Sequence, residues 1–277
     1  MGDCVAIFGK TPKFCCLIPY FGVDLLCCSN TANSVPGSSY RPLDTEGPPG
    51  EPSQVDLFRK ASKRGPPLEE LIGLVALDSG LRASAIAHLS SDWIQPHGES
   101  FLLDVPKFQK CTLGVDSSGK GGDTTKGGVP CYDCKKRPTN QDWLPDRLPD
   151  GGDCWRPKSE AGYKGRTIPI KENDTQQILL SYFDLNDIVA SRGTVCNRVK
   201  NIARRAGIEE ITVDENGVKQ FWPTTHDLRD TYGNRLARKG FDRFEIMATM
   251  GHASVEQAQV YIDLSGRETE AAFDEKW

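Results

Sequence analysis

From about residue 107 to 154 the chain keeps neither of the two periods that build regular structure, and this stretch lies between two strand patterns. Before it, "WIQPHGESFLLDVP" predicts a β-hairpin turning at His97-Gly98; after it, "GRTIPI" predicts a further strand. A small antiparallel sheet built from these strands must close across an insertion, bounded at 107–155, that is rich in Gly, Lys and Cys. Such an insertion lacks the apolar residues for a core of its own.

Helical spacing dominates on both sides. "QVDLFRKASKR" and "PLEELIGLVALDSG" carry apolar residues at helical intervals, the second stopping at Gly80, and "RASAIAHLSSDWI" continues as a short helix. Further on, "DTQQILLSYF", "TVCNRVKNIARRAGI", "THDLRDTYGNRLARKG", "RFEIMATMG" and "SVEQAQVYIDL" read the same way. The order predicts an α+β fold, mostly helical, with a small antiparallel sheet and a Cys-rich insertion. At 277 residues and 38% hydrophobic content the chain can bury a core. Residues 29–53, rich in Ser, Pro and Gly, predict a linker, so 1–53 is expected as a disordered extension and 54–277 as the folded domain. "FCCLIPYFGVDLLCC" is the nearest approach to a spanning or secretory segment, but Pro19 and Asp24 interrupt it, so no membrane partner is expected. The formal net charge of -4 means that any nucleic acid must be held by a local basic surface.

In "TTHDLRDTYGNRLARKG" an N-cap at Thr224 or Thr225 places His226 in a first helical turn with Arg229 one turn on, facing the same spot. A helix start adds unpaired N–H groups and partial positive charge, so the three together suit one anion such as a phosphate. Alone, the pair could equally be a cap and a surface ion pair. "MGHASVEQAQVYIDL" then sets His252 just before a helix that carries Tyr261 two turns in, and far upstream "LDSGLRASAIAHL" sets Arg82 just after a helix break.

Taken in order, GLR, HxxR, GH and a tyrosine nine residues on resemble the catalytic domain of the tyrosine recombinase or phage integrase family, over roughly residues 54–270. The "VPCYDC" insertion and "LVALDSGLRASAIAHLSSDWI" resemble integrases of halophilic archaea more specifically. The resemblance implies a site-specific recombinase in which Tyr261 attacks a DNA phosphate, leaving a 3′-phosphotyrosyl intermediate and a free 5′-hydroxyl. It implies that Arg82 and Arg229 grip the non-bridging oxygens, His226 assists proton transfer and His252 supports the phosphate. The general acid would be a hairpin lysine, Lys158 in preference to Lys164. No cofactor is implied for catalysis. The partner would be double-stranded DNA, held by a tetramer of this chain or a related recombinase, in the cytoplasm of an archaeal or bacterial cell or encoded by its viruses or mobile elements. Two departures stand out. The family's acid three residues after the first arginine is Ala85 here, and its N-terminal helical domain has no counterpart in the first fifty residues. A DNA-binding remnant of the same fold, or a type IB topoisomerase, are the alternatives; a remnant predicts Tyr261 turned away from the arginines.

Two further features stand beside this set. Arg198, Lys200, Arg204 and Arg205 lie along one predicted helix and are expected to track DNA phosphates, though a solvated face would look similar. Cys111, Cys131, Cys134 and Cys154 give C-x19-C-x2-C-x19-C, four thiolates for a structural zinc that would hold the insertion together. Lysines of the insertion, among them Lys120, Lys126, Lys135 and Lys136, could also reach the DNA backbone.

Overall fold

The computed structural model describes residues 41–98, 100–114 and 128–265. Its helices are α1 (Gln54–Lys63), α2 (Pro67–Ser79), α3 (Ala83–Ala87), α4 (Tyr132–Lys135), α5 (Glu160–Tyr163), α6 (Asn173–Phe183), α7 (Arg192–Ala206), α8 (Thr225–Arg238), α9 (Arg243–Met250) and α10 (Val255–Ser265). The strands are β1 (Ile94–His97), β2 (Ser100–Val105), β3 (Gln109–Lys110), β4 (Cys154–Trp155), β5 (Arg166–Ile170), β6 (Glu210–Val213) and β7 (Lys219–Trp222).

Helix α2 is the hub. It enters with a proline in its first turn and leaves at Gly80 in the left-handed conformation. Leu71, Ile72, Leu74, Val75 and Leu77 are fully buried because α1, α6, α7 and α8 pack around it. Each such side chain contributes about 1.5–3 kcal/mol of burial. Strands β1, β2 and β5 form an antiparallel sheet in that order, with Leu103 opposite Ile168 and Phe101 opposite Ile170. The sheet does close across the insertion, and β5 runs on against α9. The α+β, mostly helical architecture is as the sequence predicts.

Two elements differ from expectation. Residues 41–53, predicted as linker, are mostly exposed but anchored: Leu43 is 1% exposed, its amide donates to the Thr231 hydroxyl at 2.8 Å, and Arg41 pairs with Glu210. One buried leucine and a few specific bonds hold a composition too polar to signal a core. The expected extension before residue 41 lies outside the described residues. Strands β6 and β7 form an unanticipated hairpin. Asp214 closes its turn by accepting the amides of Asn216 and Val218, and its faces are mostly exposed, so no alternating pattern marks it. Among the described residues no helix is long and apolar enough to cross a membrane.

Candidate active site

Thr224 caps α8 by accepting the amides of His226 and Asp227, while the Asp227 carboxylate returns a bond to the Thr224 amide at 2.8 Å. This box fixes the first turn, leaving His226 73% exposed and Arg229, one turn on, 3% exposed. The guanidinium of Arg229 donates to the carbonyls of Gly80 and Met250, the closing ends of α2 and α9. Arg166, the first residue of β5, donates to the same Met250 carbonyl. Gly251 makes this convergence possible: its φ is +64°, and a Cβ there would overlap the Arg166 guanidinium.

Arg82 stands at the start of α3 and has no side-chain hydrogen bond among the described residues. With Ala85 buried where the family has an acid, no carboxylate of α3 holds it. Burial lowers its pKa, and Arg137 lowers it further. Burial and the neighbouring Arg82 bring Arg166 down to about 10, and Arg229 falls well below the usual range through burial, Arg82 and Arg166. Three guanidiniums thus oppose one another in a shielded place, which is the electrostatic signature of an anion site.

Tyr261 is 4% exposed, and its hydroxyl donates to Asp230 Oδ1 at 3.0 Å. Asp230 Oδ2 lies 3.2 Å from His226 Nδ1, so a carboxylate bridges the histidine and the tyrosine. The His252 ring stacks on the Tyr261 ring with centroids 5.5 Å apart. Gly233 lets the tyrosine lie against α8, since a Cβ there would crowd its ring. Burial, then the charge of Asp230, pushes the Tyr261 phenol above the usual range. Burial, then Arg229, Arg82 and Arg166, push His252 down to about 3, so its ring is neutral, and its Nδ1 is buried with no partner among the described residues. His226 is raised, first by its bond to Asp230.

Of the residues singled out in the sequence, Arg82, Arg229, His252 and Tyr261 come together here, with His226 at the rim. Lys158 is exposed at the same side: burial lowers its pKa, then Arg82, Arg137 and Arg192. Lys164 instead reaches Glu160 at 4.0 Å. Sequence reasoning missed Asp230, Arg166 and Arg137. Asp230 had a signal, its place four residues after His226; the others had none.

The basic helix is largely engaged within the protein. Arg198 and Arg205 both pair with the buried Glu69, Arg204 pairs with Glu209 at 2.8 Å, and the Lys200 ammonium lies 3.8 Å from the Phe221 ring centre. In the insertion the sequence expectation is corrected. Cys111, Cys131 and Cys134 meet, but their fourth partner is His88, at the end of α3, and not Cys154. Side chains alternate along a strand, and Trp155 stacks on His88, so the neighbouring Cys154 faces away. The four donor atoms of the His88 group lie within 4.8 Å of one another and could hold a metal ion. Lys135 and Lys136 are exposed, while Lys120 and Lys126 lie outside the described residues.

Comparison with known proteins bears on the fold and on one segment of the chain. Residues 166–268 match the phage integrase family, a segment that holds Arg166, His226, Arg229, His252 and Tyr261. The chain is similar to the XerH site-specific recombinase in a post-cleavage complex with its palindromic difH substrate, with 12% identity and a TM-score of 0.51, over 87% of this chain and 54% of that one. At that identity the likeness shows the fold, and this chain spans about half of the XerH length. The XerA recombinase (18% identity, TM-score 0.46, 79% and 63% covered) and the Tn1549 transposon integrase in complex with circular intermediate DNA (15%, 0.46, 83% and 69%) are matched as well. No curated protein matches the chain. Residues 166–268 thus match the phage integrase family, and the chain around them has the fold of a tyrosine recombinase catalytic domain.

Proposed function

We propose that this protein is a site-specific DNA recombinase that cleaves and rejoins DNA through Tyr261. The observation that carries the reading is the placement of Tyr261, buried within the field of Arg229 and Arg82, with its hydroxyl on Asp230 and its ring stacked on a neutral His252. A remnant that had lost strand exchange would have no reason to keep the phenol there. The scissile phosphate takes the place the opposed guanidiniums leave for an anion, with Arg82 and Arg229 on its non-bridging oxygens. The Tyr261 oxygen bonds to phosphorus as the bond to the 5′ oxygen breaks. The phenolic proton passes to Asp230, whose charge His226 balances, and Lys158 protonates the departing 5′ oxygen. The 5′-hydroxyl of a partner strand then reverses the step, so no high-energy cofactor is consumed.

By the same reading the partner is double-stranded DNA, held by four protomers across two duplexes in the compartment that contains the genome. A metal in the His88 group has no open position for substrate and is structural. The test is a suicide DNA substrate, nicked beside candidate attachment sequences flanking the gene. A covalent protein–DNA adduct that disappears in Tyr261→Phe is expected. DNA binding without any adduct would move the reading to a non-cleaving DNA-binding protein, and relaxation of supercoiled DNA by a monomer would move it to a topoisomerase.

A further inference from the structure

We propose that His88, Cys111, Cys131 and Cys134 bind one zinc ion, which ties the insertion to the end of α3 and fixes Arg137 beside Arg82 and Lys158.

The donor spacing of the group suits a tetrahedral metal site. His88 Nε2 lies 3.2 Å from Cys111 Sγ, 3.8 Å from Cys131 Sγ and 3.6 Å from Cys134 Sγ. Tetrahedral bonds of about 2.0–2.1 Å to nitrogen and about 2.3 Å to sulfur place those donors about 3.6 Å apart. His88 Nδ1 is 2.7 Å from the Ser84 carbonyl, which can only accept, so the proton sits on Nδ1 and Nε2 presents a lone pair. Three sulfurs surround that one lone pair, and only one S–H could use it. A cation that accepts electron pairs from all four explains the arrangement. The Cys131 amide donates to Cys111 Sγ at 3.3 Å, which suits a thiolate that already serves a metal. His88, Cys111 and Cys134 are all buried, and Trp155 covers the histidine at 5.7 Å. On binding, three thiols release their protons to solvent, and three thiolates with one neutral imidazole fill the zinc shell.

The consequence lies three residues beyond the last cysteine. The Arg137 amide donates to the Cys134 carbonyl at 3.4 Å, and the Arg137 carbonyl accepts from the fully buried Arg156 at 3.3 Å, so its backbone is held from both sides. Its guanidinium is near enough to Arg82 and Lys158 for their charges to oppose, and its Nη1 is buried with no hydrogen-bond partner among the described residues. The ion would add the tie between Cys134 and the end of α3, and so hold the Cys134–Arg137 turn against the part of the fold that carries Arg82. The part that concerns Arg137 as a phosphate contact rests on the recombinase reading; the metal centre does not.

The experiment takes the full chain, purified under reducing conditions, and measures bound zinc by mass spectrometry of the elements and the visible spectrum after cobalt substitution. One zinc per chain, and the strong absorption of tetrahedral cobalt with thiolate ligands, are expected. His88→Ala and Cys134→Ser should lose the metal, and Cys154→Ser should keep it. Absence of zinc from the unaltered chain after reconstitution would overturn the site without any variant having to fold, and loss in Cys154→Ser with retention in His88→Ala would overturn it as well. A duplex-binding titration then reads the second part: Arg137→Ala should keep its zinc and bind DNA about tenfold more weakly. Chelation should weaken the unaltered chain similarly and Arg137→Ala no further. Zinc bound, with DNA affinity indifferent to both changes, would overturn the positioning role. Zinc bound in a chain that does not bind DNA at all would count against the recombinase reading and leave the metal centre standing.

Discussion

The Tyr261 hydroxyl donates to Asp230 Oδ1 at 3.0 Å, and the other oxygen of that carboxylate faces His226 at 3.2 Å. In the proposed reaction the phenol gives up a proton, and that proton already points at a base coupled to an exposed imidazole at the rim. The same charge holds the phenol protonated until a phosphate draws on it.

Asp230→Asn keeps the shape but removes the proton acceptor. Cleavage of a suicide substrate should slow about 10²–10⁴-fold while DNA binding is kept. An adduct forming at the unaltered rate would show that the proton leaves by another route.

Lys158 and Lys164 are separated by their surroundings. Lys158 faces Arg82, Arg137 and Arg192, whereas Lys164 is occupied with Glu160. Lys158→Ala should suppress cleavage, and a substrate with a 5′-thiol leaving group, which needs no proton, should restore it. Lys164→Ala should cleave normally; the opposite pattern would exchange the assignments.

The two site histidines act on stability with opposite signs in adjoining pH windows. Asp230 raises His226, so its contribution is complete below the unfolded value of about 6.5 and is lost as pH rises through the raised native value. His252 is pushed down to about 3, so between about 6.5 and 3 the unfolded chain binds a proton that the native state refuses. Stability then falls as pH is lowered, by about 1.4 kcal/mol per unit from this group. Urea titrations across pH 5–8 are expected to show this acid slope removed in His252→Gln and the neutral-range gain removed in His226→Gln. A His252→Gln curve parallel to that of the unaltered chain would contradict the reading.

Glu69 joins α2 to α7 through Arg198, Arg205 and Asn201. Its burial raises its pKa, but the arginine bonds outweigh this and hold the carboxyl below its usual range. Glu69→Gln should destabilise the chain by about 1–3 kcal/mol, reduced from a fully buried pair because the arginines are partly solvated. Arg204→Ala, on the exposed side of the same helix, should change the stability read from urea titration by about 0.5 kcal/mol or less. Equal effects would mean that the pairs with Glu69 carry no special weight.

Local periodicity determined much of this protein. Helix α2 and its end at Gly80, the hairpin at His97-Gly98, and the helices carrying His226, Arg229 and Tyr261 are all legible because apolar spacing, caps and turn residues act over a few neighbours. The order of Arg82, His226, Arg229, His252 and Tyr261 was legible as well, since their chemistry is unusual for the positions they occupy. Tertiary structure alone decided which groups meet. Asp230 becomes the partner of Tyr261 only when α10 packs on α8, and Arg166 reaches Met250 only because β5 runs against α9. His88 replaces Cys154 among the sulfurs because a strand turns alternate side chains to opposite faces, and which face met α3 was settled by where Trp155 stacked. Spacing along a chain fixes what neighbours can do; contacts between distant segments depend on packing, which no local pattern records.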